Sequence, residues 1–495
     1  MGKKMKNKEK TEGVRDMSEQ EIIQQQQEQI AALTATIEEL QEIIKELRRQ
    51  LGENSQNSSK PPSSDGYKKP APKSQRKKTG KKPGGQKGHA GSHMAIPHEA
   101  DEIRQHLPEK CQTCAHLAKC LSSGRVFQCG EKRYVVEAEV GTKVTEHQSM
   151  KAIRCPCGEE GLAGAFPEEV KAYVQYGDSV TVLAGLLNTY GCMSIQRIHV
   201  LLGSLLGVKL STGTIGAMVA KCAEKVGETM ESIRGKVAGS PVGHFDETGI
   251  RVGGKLLWVH NSSTAELTYQ SVHEKRGQEG MEDNGVLPQF TGIAVHDCWS
   301  PYWKYRESGH AVCCAHLLRD LTGIQESSPE HTWASDFLAL LISMKTVKEK
   351  ALAKGKAALS YYYLRKFSKE YDRVMELADS QCPVPPPSRE KKKGPRKKGR
   401  ERSLIERLTH LKASVCLFAR NFLVPFDNNQ AERDLRYVKT KIKVSGCFRT
   451  KSGALDFLHI MSFLSTGLKH HVSVFDALSA AFSGNPLLVL SGGPE

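Results

Sequence analysis

The sequence predicts a multidomain α+β protein, and three observations carry that prediction. Branched aliphatic residues recur every seven positions near the N-terminus. Two cysteine pairs bracket a short stretch of strand-like alternation. Beyond Pro241 the hydrophobic pattern changes from a helical period to alternating strands and then returns to helices. With 495 residues the chain has room for roughly two to four domains and at least one large core.

The first element, over 17–51, is a heptad helix. Ile23, Ile30, Ile37, Ile44 and Leu51 are seven apart, and Leu33, Leu40 and Leu47 each fall three places after an isoleucine. Gln26 takes the equivalent place in the first heptad. Isoleucine at a with leucine at d favours a parallel two-stranded coiled coil, so the pattern predicts a homodimer or higher assembly. An amphipathic helix folded back on its own domain is the alternative.

Gly52 ends the helix, and 52–95 reads as a disordered basic linker containing Pro61-Pro62 and KKTGKKPGGQKG. The net charge of +16 is concentrated here and in one other place. Lys60 to Ala90 holds ten Lys and Arg against Asp65, while Arg389 to Arg402 holds nine against Glu390 and Glu401, so these two arms account for the whole excess. Such arms suit phosphate neutralisation, although basic solubilising linkers would look the same. The basic N-terminus is followed by polar residues, not an apolar signal segment, and no apolar run is long enough to span a bilayer. The expected setting is cytoplasmic and nucleoid-associated, without a membrane partner. The 14 cysteines are then metal ligands or buried thiols and not a disulfide framework.

A small module over 96–160 carries Cys111-x2-Cys114 and Cys155-x-Cys157 around the alternating stretch Tyr134 to Val144. Four thiolates in such an arrangement would hold structural Zn²⁺ in a zinc-ribbon-like β module. The second pair is tighter than the usual gap, and Cys120, Cys129, His116 and His147 are rival ligands. A helical region follows over 167–236. Ile195 to Leu206, a break at Gly207 to Leu210, and Ser211 as an N-cap outline a possible helix-turn-helix. Basic residues are scarce in its second helix, so plain helical packing explains it as well.

The strands VGHFDETGIRV, KLLWVHNSS and LTYQSVH form an expected antiparallel meander. TGIAVHD and HAVCCAH supply a fourth and fifth strand, the latter running into a helix at Leu317 to Ile324. The result is a mixed α/β layer domain over 241–485, with a helical and basic insertion at about 321–423. Asp427-Asn428-Asn429 caps a further helix beginning near Gln430. Asp246 lies inside the first strand, Asp297 at the end of the fourth, and Glu432 in the first turn of the post-insertion helix. Carboxylates at adjacent strand ends, plus one from a covering helix, can converge on paired divalent metals and support in-line phosphoryl transfer. Taken singly, each acid has an ordinary alternative: a turn for Asp246, a helix cap for Asp297, and pairing with Arg436 for Glu432. Glu247 should face the opposite side of the sheet from Asp246.

HFDETGIRV, AVHDCWSPY and DNNQAERDLRYVKTKIKVSGCFRT, together with NSSKPPSSDGYKKP, GGQKGHAGS and GLKHHVSVFDALSAAFSGNP, resemble the transposases of the insertion sequence 66 family. The resemblance spans nearly the whole chain. It implies a ribonuclease-H-like catalytic domain in which Asp246, Asp297 and Glu432 are the catalytic, metal-holding triad for two Mg²⁺ or Mn²⁺. It implies a DNA transposase that binds terminal inverted repeats, cuts strands by two-metal hydrolysis, and joins 3′ ends to target DNA by transesterification. Accessory proteins of the same element are further expected partners. Cys155-x-Cys157 departs from the family's two-residue gap. CCAHLLRDL is also similar to the family, and His316 and Asp320, four apart on one helix face, are expected to support the site or touch DNA; a core histidine is the alternative. Arg433, Arg436, Lys439 and Lys443, with Lys441, are expected to grip phosphate around Glu432. The rival functions are a DNA-binding regulator or architectural dimer that cuts nothing, and a nuclease that hydrolyses without joining.

Overall fold

A 34-residue helix, α1 (Glu19–Gly52), carries the heptads; it has no glycine or proline before its last residue. Ile30, Leu33, Ile37, Leu40 and Leu47 along its seam are all more than half exposed, so the seam is left uncovered within this one chain. Beyond the helix end, the Asn57 side-chain amide donates to the Gly52 carbonyl at 3.0 Å and to Glu326 at 2.6 Å. The computed structural model describes residues 19–54, 57–58, 103, 107, 109–123, 141–150, 164–384 and 399–491. The chain divides into a larger compact unit (1–71, 172–199 and 211–495) and a smaller one (72–171 and 200–210).

In the smaller unit the described residues form two short helices, α2 (Glu109–Gln112) and α3 (Leu117–Ser123), and the later part of the helix Ile195–Leu206. Residues 141–150 have no regular secondary structure. Most of the expected β stretch, from Tyr134 to Val140, lies outside the described residues, as do most of the linker at 52–95 and the basic run 385–398.

The larger unit holds α4 (Asp178–Asn188), the start of α5 (Ile195–Leu206) and α6 (Thr212–Ala238). Ser211 caps α6, its hydroxyl accepting from the Thr214 amide at 3.0 Å. Ile215, Val219, Cys222, Val226, Met230, Ile233 and Val237 follow at helical spacing and are all buried. That stripe packs on α4 and on the sheet, so helices expected in a separate region share the core of the α/β domain.

The sheet has five strands: β1 (Val242–Val252), β2 (Lys255–Ser263), β3 (Thr268–His273), β4 (Ile293–His296) and β5 (Gly309–Val312), ordered β3-β2-β1-β4-β5. The first three form the expected antiparallel meander, and β4 and β5 run parallel to β1. Gly253 and Gly254 close the β1–β2 hairpin with φ of 54° and 82° between the paired residues Val252 and Lys255. A two-residue loop that matches strand twist needs positive φ at both positions, which glycine adopts without strain. A short helix, α7 (Gln278–Asn284), links β3 toward β4.

Two cores follow from the alternation of side chains on the central strands. Phe245 and Ala294 face α6 and a later helix, while Val295 and its partner Ala311 face the insertion. The insertion side begins with α8 (Cys314–Ser327), then the hairpin α9 (Trp333–Leu352) and α10 (Tyr361–Gln381). It continues through α11 (Arg400–His410), α12 (Lys412–Val415) and α13 (Leu417–Arg420). Trp333, Phe337, Tyr371 and Leu408 are buried among them, and the Tyr371 hydroxyl donates to the Leu408 carbonyl at 2.7 Å. The chain returns through α14 (Asn429–Ser445), α15 (Lys451–Lys469), α16 (Val474–Phe482) and α17 (Leu488–Ser491). Among the described residues, no helix is long and apolar enough to cross a membrane.

Candidate active site

Strand register brings the first two carboxylates level. Val242, Gly243 and His244 of β1 pair with Ile293, Ala294 and Val295 of the parallel strand β4. Continuing that register by two residues sets Asp246 beside Asp297, one residue past the end of β4. The backbone then turns abruptly: Cys298 has φ of 72°, an uncommon conformation for a side chain-bearing residue. The turn lets the Trp299 amide donate to the Asp297 carboxylate at 3.0 Å. Asp246 accepts from the Glu247 amide at 2.9 Å.

The third carboxylate arrives by a polar clamp that the sequence pattern did not disclose. Asn428 precedes α14 and is 2 % exposed. Its amide donates to the Phe245 carbonyl at 2.7 Å, its side-chain oxygen meets His244 Nδ1 at 2.8 Å, and its backbone N–H donates to Cys313 Sγ at 3.1 Å. The start of α14 is thereby pinned to β1 beside Asp246, and Glu432 follows within the first helical turn. Glu432 pairs with Arg319 of α8 at 3.4 Å, not with Arg436. Asp434 turns away into the protein and pairs with Lys469 at 3.1 Å.

The electrostatics are those of negative charge in excess. Asp246 is pushed up to about 8 by burial and then by the nearby Glu247, Asp297 and Glu432. Among the described residues neither Asp246 nor Asp297 has a Lys or Arg within ion-pair distance. Glu247, on the other face of β1, is neutralised differently. Tyr302 donates to it at 2.6 Å and Arg276 pairs with it at 2.7 Å, with the Arg276 guanidinium stacked on Trp299 at 4.1 Å. Burial raises the Glu247 carboxyl, opposed by those two donors.

His316 approaches from α8. Its Nδ1 is buried without a hydrogen-bond partner. Burial and then Arg319 depress its basicity, against Glu432, Asp297 and Asp320, which raise it. Asp320, one turn on, is held by Arg400 at 3.0 Å and Arg407 at 2.7 Å. Along α14, Arg433, Arg436, Lys439 and Lys443 are exposed. Lys441 is not: its amine is buried and donates to the carbonyls of Asn188 and Met193, both at 2.8 Å. It therefore cannot grip phosphate. The helical period contained that answer, because residues two apart on a helix face nearly opposite ways.

Among the described residues, no three His, Cys, Asp or Glu side chains converge closely enough to enclose a metal ion. The donor set still fits a hard divalent cation: two half-buried carboxylates without a cationic partner, and a third acid nearby, leave a deficit of positive charge. In the smaller unit Cys111 and Cys114 share one turn, the Cys114 N–H donating to the Cys111 carbonyl at 3.2 Å. Cys155, Cys157 and Cys129 lie outside the described residues.

A family model described as the transposase IS66 family matches residues 175–456, more than half of the chain. A second model, a family of unknown function (DUF6444), matches residues 11–95 and so includes α1. No curated protein matches the chain.

Proposed function

This chain belongs to the IS66 family of transposases, and we propose that it cuts DNA at the ends of its element and joins the freed 3′ ends to target DNA at one three-carboxylate site. The observation that carries this reading is the pair of half-buried aspartates without a cationic partner, Asp246 and Asp297, level on adjacent parallel strands with Glu432 beside them. The sheet order β3-β2-β1-β4-β5 supports assigning the domain to the ribonuclease-H-like class.

Asp246, Asp297 and Glu432 would hold Mg²⁺ or Mn²⁺. When bound, such ions activate a water or 3′-hydroxyl and stabilise the leaving oxygen of an in-line phosphoryl transfer. The chain's own residues do the positioning. Asn428 fixes α14 to β1, and Arg319 holds the Glu432 carboxylate in orientation until a stronger partner replaces it. His316, whose buried Nδ1 lacks a partner, is suited to orient a carboxylate or a DNA oxygen. Arg433, Arg436, Lys439 and Lys443 supply exposed positive charge for the phosphates on either side of the cut. In the same reading α1 pairs two copies through its uncovered seam, and Cys111, Cys114, Cys155 and Cys157 bind structural Zn²⁺.

The test is Mg²⁺-dependent nicking of DNA carrying an element end, run beside a gel shift on the same DNA. Asp246→Asn and Asp297→Asn should abolish nicking and leave the shift intact. A regulator that binds without cutting is the rival reading, favoured by the engagement of Glu432 with Arg319. It predicts a parent protein that shifts the DNA and never nicks it.

A further inference from the structure

The outer end of the α9–α10 hairpin carries charge and aromatic surface that the catalytic reading does not use. Lys350, Lys354 and Lys356 run through the end of α9 and the loop after it, and all are exposed. Tyr361, Tyr362 and Tyr363 open α10 and are 76, 66 and 40 % exposed. Arg365, Lys366 and Lys369 follow within two turns and are exposed as well. The acids of this stretch are engaged elsewhere: Glu349 with Lys345 at 3.8 Å, and Glu370 with Arg373 at 2.7 Å. Among the described residues, none of these six cations has an acid within ion-pair distance. Ser360 makes no side-chain cap, so the first N–H groups of the helix add partial positive charge beside the tyrosines.

Tyr363 packs beside the buried Phe367, but Tyr361 and Tyr362 leave most of their rings in solvent, and a solvated helix face has no need of them. Exposed rings among unpaired cations match one ligand chemistry, a nucleic-acid strand whose phosphates meet the lysines and whose unpaired bases stack on the rings. The hairpin is also fixed to the catalytic end of the domain. The Lys348 amine donates to the carbonyls of Phe422 and Val424 at 3.2 and 2.6 Å, and Lys345 lies over the Phe426 ring at 5.0 Å. Those residues lead directly into Asp427 and Asn428, the root of the helix that bears Glu432.

We propose that this tip is a binding surface for DNA with unpaired bases next to the cut, with Tyr361 and Tyr362 as stacking platforms and Lys354 and Lys356 meeting phosphates. The proposal rests on the transposase reading and names where its DNA substrate is held. The probes are a blunt duplex and the same duplex bearing a single-stranded 3′ tail with 2-aminopurine, titrated without divalent metal. The double variant Tyr361→Ala/Tyr362→Ala should bind the tailed DNA at least about thirtyfold more weakly, with less fluorescence quenching and an unchanged affinity for the blunt duplex. Phenylalanine at both positions should restore tail binding, because stacking needs the ring and not the hydroxyl. Lys354→Gln/Lys356→Gln should lower the salt dependence of tail binding, by about 0.7 for each single-strand phosphate no longer neutralised. Equal tail affinity and quenching in the parent and the double alanine variant, while the parent nicks element-end DNA, overturns the tip and leaves the catalytic reading standing. Tyrosine-dependent tail binding by a parent that never nicks supports the tip and sinks the catalytic reading.

Discussion

Glu432 and Lys441 show how differently two charged residues of one helix are used. If Glu432 is a metal ligand, Glu432→Gln keeps its shape and loses the charge. Nicking should then fall more than about a hundredfold, since residues that only support a ligand already cost about 10- to 100-fold, while DNA binding persists. If it serves only Arg319, the exchange should cost at most about 1 kcal/mol of stability and leave nicking near normal. Kinetics on element-end DNA decide between them. Lys441 is held down at about 8 by burial, well below the usual lysine range. The unfolded chain keeps that proton until about pH 10.4. Between about pH 8 and 10 the unfolded state therefore binds more protons than the folded one, and stability rises with pH across that window. Thermal melts of the parent and of Lys441→Met should show a smaller rise in the variant; identical slopes would refute the burial of this charge. Asn428→Ala should cost about 1–3 kcal/mol, because it strips the donor from the buried Phe245 carbonyl and the partner from His244. Urea unfolding measures that cost, and an unaltered midpoint would show that the clamp is dispensable.

Among the elements, α1 and α14 depend on partners outside themselves in opposite ways. The seam of α1 is uncovered in the single chain, and the proposed pairing with a copy of itself would cover the exposed aliphatic surface of this 34-residue helix. Ile37→Asp with Leu40→Asp would place four charges in a two-stranded seam without partners. Sedimentation should then show a loss of mass to the monomer, and a variant of undiminished mass would remove the coil as the source of assembly. In α14 one face meets β1 and β2 while the other presents Arg433, Arg436, Lys439 and Lys443. In the proposed reading a single helix would carry both Glu432 and the basic residues that hold the strand it acts on.

For the whole molecule, the concentration of charge in two arms predicts how the protein should meet DNA. Neutralising Lys391 to Lys398, a stretch outside the described residues, should flatten the salt dependence of duplex binding by about 0.9 for each phosphate released from the arm and leave sequence preference unchanged. Gel shifts across a salt series read this directly, and equal slopes for parent and variant would make the arm a spacer. The larger unit reaches beyond the strands and the insertion, because α4 and α6 complete its core. A chain cut to begin at Pro241 would expose that core and should not fold.

Local periodicity was enough to determine the heptads of α1, the meander and its Gly253-Gly254 turn, the two later strands, and the positions of Asp246 and Asp297 within or just after a strand. Side-chain period and turn chemistry are properties of neighbouring residues, so they are written in order along the chain. The motifs also carried the family. What tertiary structure alone decided are the contacts between residues far apart in sequence. Asn428 reaches His244 and Phe245, Arg319 takes Glu432 in place of Arg436, and Arg276 lies against Trp299 while neutralising Glu247. None of these has a spacing that a local pattern could register. Each exists because buried polar groups must find partners, and which partner is within reach depends on how the sheet and helices close around them.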